Sequence, residues 1–153
     1  MALPNGTRNI ARKTLRRGRD LAAAGLIAPE AADRADAVAA RYSVAIPPAL
    51  ADLIDAADPA DPLARQFVPD PSELDDGADE LDDPIGDAPH SPVKGLVHRY
   101  PDRVLLMPTL SCPVYCRFCF RRDRVGRAAD MPSPADIDAA LAYIAGRPGI
   151  REV

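Results

Sequence analysis

The feature that most constrains the fold lies in the last third of the chain, where a predicted strand, loop, helix and second strand follow one another. Residues 104–107 form a continuous apolar run, typical of a strand buried on both faces, as in parallel sheets. Ser133, Pro134 and Asp136 form a helix start signal. Residues 150–153 resemble the start of another strand. This order predicts a β-loop-α-β unit of an α/β fold.

A single unit of this kind leaves the faces and edges of its sheet without partners. We therefore expect the sequence to be an amino-terminal fragment, cut as the second strand begins. The helix is expected to pack through one face, formed by Ile137, Ala140, Leu141 and Ile144.

The preceding residues predict short helices followed by a connector. We expect helices over residues 7–24 and 29–41. A further short helix should follow Pro47 and Pro48, with Leu50, Leu53 and Ile54 as its buried face. The predicted organisation is a helical amino-terminal region (1–68), an acidic, proline-rich connector (69–95) and the start of the α/β domain (96–153).

Charge is unevenly distributed along the 153 residues, although the net charge is only −4. Residues 51–90 hold thirteen acids against one base, and residues 99–127 hold seven arginines against two acids. We expect the acidic run at 70–83 to be a solvated surface.

The longest early apolar stretch, residues 21–28, is far too short for a membrane span. The basic first nineteen residues would also suit a transit peptide, but we interpret them as a solvated helix face. We expect a cytoplasmic protein.

Three cysteines lie within eight residues, Cys112, Cys116 and Cys119, with the spacing C-x3-C-x2-C. An odd, clustered set suits metal or redox chemistry in a reducing compartment better than disulfides. Three thiolates can bind three irons of a cubane and leave the fourth iron open to another ligand. Structural zinc, an electron-transfer cluster and inert core thiols are the alternatives. Nucleic-acid binding is disfavoured by the acidic chain and the lack of a recognisable binding module.

The cysteine spacing, with Phe118 before the last cysteine, resembles the radical S-adenosylmethionine (SAM) signature. The wider stretches 91–106 and 112–122 resemble the lysine 2,3-aminomutase family. The family's amino-terminal region is also similar to Ile46-Pro-Pro, Leu53-Ile-Asp, Asp61-Pro-Leu and Arg65-Gln-Phe-Val-Pro. The resemblance runs from about residue 41 to residue 126.

The resemblance implies a partial radical SAM (βα) barrel and assigns site residues. Cys112, Cys116 and Cys119 would hold a [4Fe–4S] cluster whose open iron binds SAM, and Phe118 would lie near the adenine. Pyridoxal 5′-phosphate would be held on its phosphate side by Arg99, Tyr100 and Arg103. Arg121 would bind the carboxylate of the amino-acid substrate, and Arg117 would face the cluster region.

The implied activity is that of an isomerase that moves the α-amino group of a free amino acid to the β carbon, with L-lysine giving β-lysine. Glutamate 2,3-aminomutase and the relative that makes β-lysine for elongation factor P are the alternatives within the family. The alternative from another class is a non-enzymatic zinc or iron–sulfur module.

Neither lysine of the chain, Lys13 or Lys94, matches the family's lysine that binds pyridoxal phosphate, so no catalytic residue is assigned. We expect this polypeptide alone to be inactive and to bind a cluster only weakly. For the whole protein, the resemblance implies a flavodoxin- or ferredoxin-type electron donor and a homo-oligomer, with no nucleic-acid or membrane partner.

Overall fold

A computed structural model describes residues 13–75, 77, 81 and 83–153, which fall into two compact units. The amino-terminal unit comprises the described residues of Met1–Gly77 together with Cys112–Arg122. The carboxy-terminal unit comprises those of Ala78–Ser111 together with Asp123–Val153. The segment that carries the cysteines therefore belongs to the amino-terminal unit. The predicted partition at residues 68 and 95 stays a prediction.

The amino-terminal unit is built from four short helices. These are α1 (Gly18–Ala23), α2 (Ala32–Arg41), α3 (Pro48–Ala51) and α4 (Pro62–Phe67), and a 3₁₀ turn, Pro29–Ala31, leads into α2. Prolines open α3 and α4 because the first helical position needs no backbone donor. The helices enclose a core of buried apolar side chains: Leu15, Leu21, Ala24, Ala35, Val44, Ile46, Ala51 and Ile54.

The helix predicted over residues 7–24 is wrong in extent. Residues 7–12 lie outside the described part, and within the rest only Gly18–Ala23 is α-helical. Leu15 instead pairs with Ile46, each backbone N–H donating to the other's carbonyl at 2.9 and 3.0 Å. The basic side chains before Gly18 also oppose the positive end of a helix dipole. Pairing with a distant segment therefore outweighs local helix propensity here.

A glycine at the start of α1 allows α1 and α2 to pack closely. The backbone of Gly18 approaches α2 so closely that a Cβ there would lie 1.9 Å from the Ala32 carbonyl oxygen. Only glycine fits this contact.

Leu53, predicted as buried, is 64% exposed, because α3 ends at Ala51 before reaching it. Ile54 is buried as predicted, at 2% exposure, and Ala51, at 1%, is in the core where Leu53 was expected.

The carboxy-terminal unit contains a two-stranded antiparallel sheet, β1 (Leu96–Tyr100) and β2 (Arg103–Leu106). Leu96 pairs with Leu106, and Tyr100 with Arg103. The predicted strand is present, but its burial on both faces of a parallel sheet is wrong. Val104 is buried whereas Leu105 is 45% exposed, the alternation expected where only one sheet face is covered.

Helix α5 (Pro134–Ala145) confirms the predicted start signal. Ser133 Oγ accepts from the Asp136 N–H at 3.2 Å, and the Asp136 carboxylate accepts from the Ser133 N–H at 2.8 Å. Ala140, fully buried, packs with the strands together with the partly buried Ile144. Leu141 is 50% exposed, contrary to the prediction, because the packed face runs through positions 140, 143 and 144.

The chain after α5 returns to the sheet. Glu152 forms a parallel bridge with Arg103, and its carbonyl accepts from the Val104 N–H at 3.0 Å. This agrees with the expected beginning of a parallel strand after the helix. The described residues thus form a mixed fold of helices and a two-stranded sheet, and they close no barrel. Within the same described ranges, no helix has the length and apolar character needed to cross a membrane.

Candidate metal centre

The three predicted ligands lie in one loop, residues 112–119, which follows a path of turns. Each cysteine is half-buried and has a free thiol. The Cys112 thiol donates to the Val114 carbonyl at 2.8 Å, and the Cys119 N–H donates to the Cys116 carbonyl at 3.1 Å. The loop therefore carries three partly exposed sulfur donors within a short segment.

The backbone of this loop is fixed to the amino-terminal unit at two points. The Tyr115 N–H donates to the Ala45 carbonyl at 3.2 Å, and the Arg117 N–H donates to the Gln66 carbonyl at 2.8 Å. Both acceptors belong to segments that pack against the core of this unit, just before α3 and within α4. The cysteines are consequently attached to a folded support.

A buried ion pair adds a third attachment. The Arg117 Nη2 atom lies 2.6 Å from Glu73 Oε2, and Arg117 Nε lies 3.0 Å from Oε1. The Arg117 Nη1 atom donates to the Ser43 carbonyl at 2.9 Å. Exposed fractions of the two side chains are only 6% and 12%. This fork-like pairing is the strongest geometry available to an arginine and a carboxylate.

The ion pair adds to one expectation and corrects another. Arg117, expected to face the cluster region, directs its guanidinium to Glu73 and to the Ser43 carbonyl. Glu73 was expected on a solvated acidic surface, but it is partnered here and also accepts from the Asp70 N–H at 2.9 Å. The Asp70–Glu73 capping box was the available sequence signal for an ordered turn. Glu73 also pairs with Arg117, which lies 44 positions away, and no local sequence pattern indicates this second contact.

Gln66 is a further residue that the sequence analysis missed. Its Nε2 atom donates to Cys116 Sγ at 3.5 Å, while its carbonyl accepts from Arg117. Gln66 therefore contacts two consecutive loop residues from the last turn of α4. Nothing in the local pattern of α4 distinguishes Gln66 from an ordinary surface glutamine.

The donor set fits the cluster that the resemblance implies. Three free thiols within eight residues supply three thiolate ligands, and the Cys116 sulfur has a neutral hydrogen-bond donor beside it. Among the described residues, no three His, Cys, Asp or Glu side chains are arranged to hold a metal ion. The fit therefore rests on the chemistry and spacing of the donors.

Aromatic and cationic side chains continue the loop. Phe118 is 74% exposed, so it is not a core ring, and it borders a cavity of about 490 Å³ together with Glu73 and Arg122. The Arg121 guanidinium lies 4.6 Å from the Phe120 ring centre. The role of Phe118 towards adenine and that of Arg121 towards a substrate carboxylate stay predictions.

The three predicted phosphate-side residues come together elsewhere, in the carboxy-terminal unit. Arg99, Tyr100 and Arg103 line one cavity of about 210 Å³, which Asp87 and Glu152 also border. Arg99 Nη2 lies 3.0 Å from the buried Asp87 carboxylate, whose side chain is 8% exposed. The donors suit a phosphate, whereas the two carboxylates oppose one.

Arg103 has a different kind of partner. Its Nε atom lies 3.2 Å from the carboxylate of the adjacent Asp102, and both side chains are about half exposed. Hydrogen bonding to Arg103 holds the pKa of Asp102 below its ordinary value of 3.8, and the same contact raises the pKa of Arg103. The Arg103 cation is thus held on the surface by an acid beside it in the chain.

Curated proteins similar to this chain share one kind of name. L-lysine 2,3-aminomutase of Clostridium subterminale is 46% identical over 110 residues, which are 72% of this chain and 26% of that protein. L-lysine 2,3-aminomutase of Bacillus subtilis is 42% identical over 107 residues, 70% and 23% of the two chains. Glutamate 2,3-aminomutase of Clostridioides difficile is 35% identical over 116 residues, 76% and 27%. No protein-family model matches. The chain spans about a quarter of the length of these relatives.

Proposed function

We propose that this chain, a homologue of the L-lysine 2,3-aminomutases over about 72% of its length, supplies the iron–sulfur segment of a radical SAM 2,3-aminomutase. One observation carries the proposal: three free thiols with the spacing C-x3-C-x2-C stand in one loop of a chain with that homology. A lysine 2,3-aminomutase is an isomerase, and isomerase activity of the whole protein is part of the proposal.

Cys112, Cys116 and Cys119 would bind a [4Fe–4S] cluster through three irons, so that the fourth iron can bind SAM. When bound, the cluster supplies the electron that cleaves SAM and begins radical chemistry. The chain's own residues would hold the loop through Arg117 and Glu73. The exposed Phe118 ring would offer a stacking surface to adenine.

Arg99, Tyr100 and Arg103 are the proposed contacts to the phosphate of pyridoxal 5′-phosphate. Guanidinium groups bind phosphate oxygens in pairs, and a tyrosine hydroxyl adds a donor. A phosphate entering the 210 Å³ cavity would compete with Asp87 and Asp102 for the two arginines. Arg103 would exchange its partner more readily, because its ion pair is solvated.

The proposed substrate is L-lysine, because the curated relatives at 42–46% identity are named for lysine, whereas a relative named for glutamate is 35% identical. Arg121 would bind the substrate carboxylate. We also propose the partial barrel, the electron donor, the homo-oligomer and the cytoplasmic location. The chain alone should lack aminomutase activity, because neither of its lysines corresponds to the family's cofactor lysine.

Anaerobic reconstitution of the whole protein with iron and sulfide tests the cluster. We expect about four irons per chain and an electron paramagnetic resonance (EPR) spectrum of the reduced cluster that changes when SAM is added. Cys116→Ser should abolish this uptake, whereas the matched hydroxyl control Ser111→Ala should leave it intact. Tight uptake of one zinc with no iron uptake would instead favour the non-enzymatic module.

Activity is testable in a chimera in which the 110 matched residues replace their counterpart in the Clostridium subterminale protein. The chimera should convert L-lysine to β-lysine, and Cys119→Ser in the chimera should abolish the conversion. A folded chimera that binds a cluster but forms no β-lysine would contradict the proposed activity.

A further inference from the structure

Gln66 makes a contact that the family-based assignment does not use. Its Nε2 atom stands 3.5 Å from Cys116 Sγ, across 50 positions of sequence. The side chain is half-buried, and the partner sulfur is one of the proposed cluster ligands. A neutral amide donor directed at a ligand sulfur would be expected to influence the electron density on that sulfur.

The position of Gln66 is determined by several independent contacts. Asp61 caps α4 by accepting from the Ala64 N–H at 2.6 Å, and Leu63 and Phe67 pack against the core on either side of Gln66. The Gln66 carbonyl accepts from the Arg117 N–H at 2.8 Å. The amide is therefore fixed with respect to the loop at both its backbone and its side chain.

The positive charge of Arg117 lies close to the contact between Gln66 and Cys116, but it is paired with the carboxylate of Glu73. Arg117 follows Cys116, but its guanidinium is directed to Glu73 and to the Ser43 carbonyl. Because the cation is matched by a carboxylate at 2.6 Å, its field at the sulfur is largely offset. Of the side chains with a described contact to the three sulfurs, Gln66 alone supplies a hydrogen-bond donor.

We propose that Gln66 is a positioning residue that donates a hydrogen bond to the Cys116 ligand and thereby raises the reduction potential of the bound cluster. The inference rests on the proposed function, since it requires that Cys116 bind the cluster. Hydrogen bonds to cluster sulfurs stabilise the reduced state, because that state carries more negative charge. Loss of the donor should make reduction less favourable.

The test compares the reconstituted whole protein with Gln66→Met, which keeps the length of the side chain and removes its donors. We expect equal iron content and a reduction equilibrium constant lowered about threefold to tenfold, the factor that one hydrogen bond of ordinary net strength makes. Redox titration followed by EPR measures the shift. Arg65→Lys, an exposed neighbour on α4 with its charge retained, is the matched control and should match the wild type.

A second variant and a second readout complete the test. Gln66→Glu keeps the shape and replaces the donor with an acceptor, so its potential should also fall, and it carries the test if Gln66→Met does not fold by circular dichroism. In wild type, electron–nuclear double resonance should detect an exchangeable proton coupled to the reduced cluster, and both variants should lose it. Unchanged potentials, or retention of that proton, would overturn the role of Gln66. Failure of the wild-type whole protein to bind iron would overturn the proposed function instead.

Discussion

Two arginine–carboxylate pairs in this chain have the same chemistry and opposite surroundings. Arg117 and Glu73, in the amino-terminal unit, are 6% and 12% exposed and meet through two guanidinium nitrogens. Arg103 and Asp102, in the carboxy-terminal unit, are 52% and 50% exposed. The first pair has lost its solvent, so neither charge can be left alone. The second pair is screened by water and contributes little to stability.

The difference in burial corresponds to a difference in what the pairs do. Glu73 and Arg117 lie 44 residues apart, so their contact attaches the cysteine loop to a distant part of the amino-terminal unit. Asp102 and Arg103 are neighbours in sequence, so their contact fixes no long-range structure. A phosphate could therefore replace the Asp102 carboxylate at Arg103 without loss of a long-range contact. Replacing the Glu73 carboxylate at Arg117 would instead detach the cysteine loop from Glu73.

The largest effect is expected from breaking the buried pair. Arg117→Met leaves the Glu73 carboxylate buried without its cation, and this should lower the free energy of unfolding by about 3–5 kcal/mol. Urea unfolding of the ligand-free chain, followed by circular dichroism, measures the loss. A loss below about 1 kcal/mol would show that the pair behaves like a surface salt bridge.

The second prediction separates the cost of an orphaned charge from the net value of the pair. Replacing both members, with Arg117→Met and Glu73→Leu together, removes both buried charges. The double variant should recover at least half of the loss caused by Arg117→Met, since buried ion pairs are often close to neutral against apolar replacements. Strictly additive losses in the same urea experiment would contradict this account.

A smaller effect is expected at the start of α5. Ser133→Ala removes the cap that accepts from the Asp136 N–H and should lower the free energy of unfolding by about 1 kcal/mol. The residual helix content by circular dichroism should stay close to that of wild type. Ser133→Asp, which restores a capping acceptor, is the control and should recover most of the loss.

Breaking the exposed pair should hardly change the free energy of unfolding in the same urea experiment. Arg103→Met is expected to leave the free energy of unfolding close to that of wild type, because solvent screens both charges. It is thus the matched counterpart of Arg117→Met, with the same substitution in the other unit. A loss comparable with that of Arg117→Met would remove the distinction between the two pairs.

Local signals in the sequence predicted local structure well. Ser133, Pro134 and Asp136 gave the start of α5 because a capping box needs only neighbouring residues. The cysteine spacing and the wider pattern identified the aminomutase resemblance, which relatives at 35–46% identity confirm. The capping box and the cysteine spacing each depend on residues within a few positions of one another.

Features set by distant contacts were missed or wrong. The early helix is shorter than predicted because Leu15 pairs with Ile46. The strand at 103–106 alternates between buried and exposed residues because only one face of its sheet is covered. The support of the cysteine loop by Gln66 and Glu73 could not be inferred, because each lies more than 40 residues from its partner. The sequence contains the donors and acceptors, whereas the fold decides which of them meet.

The smallest expected effect concerns two exposed carboxylates whose pKa values are lowered for different reasons. Asp102 is lowered by hydrogen bonding and charge attraction from Arg103, and Asp136 by hydrogen bonds from the backbone and hydroxyl of Ser133. In both, the folded pKa lies below the ordinary 3.8, so any stabilisation is present above that pH and is lost as the pH falls through the folded value. Carbon-13 titration by nuclear magnetic resonance should give both midpoints below 3.8 at low salt.

At about 1 M salt, where charges are screened within roughly 3 Å, the Asp102 midpoint should rise more than that of Asp136. Arg103→Met should raise the Asp102 midpoint and leave that of Asp136 unchanged, and equal salt responses would contradict the assignment of a solvated ion pair to Arg103.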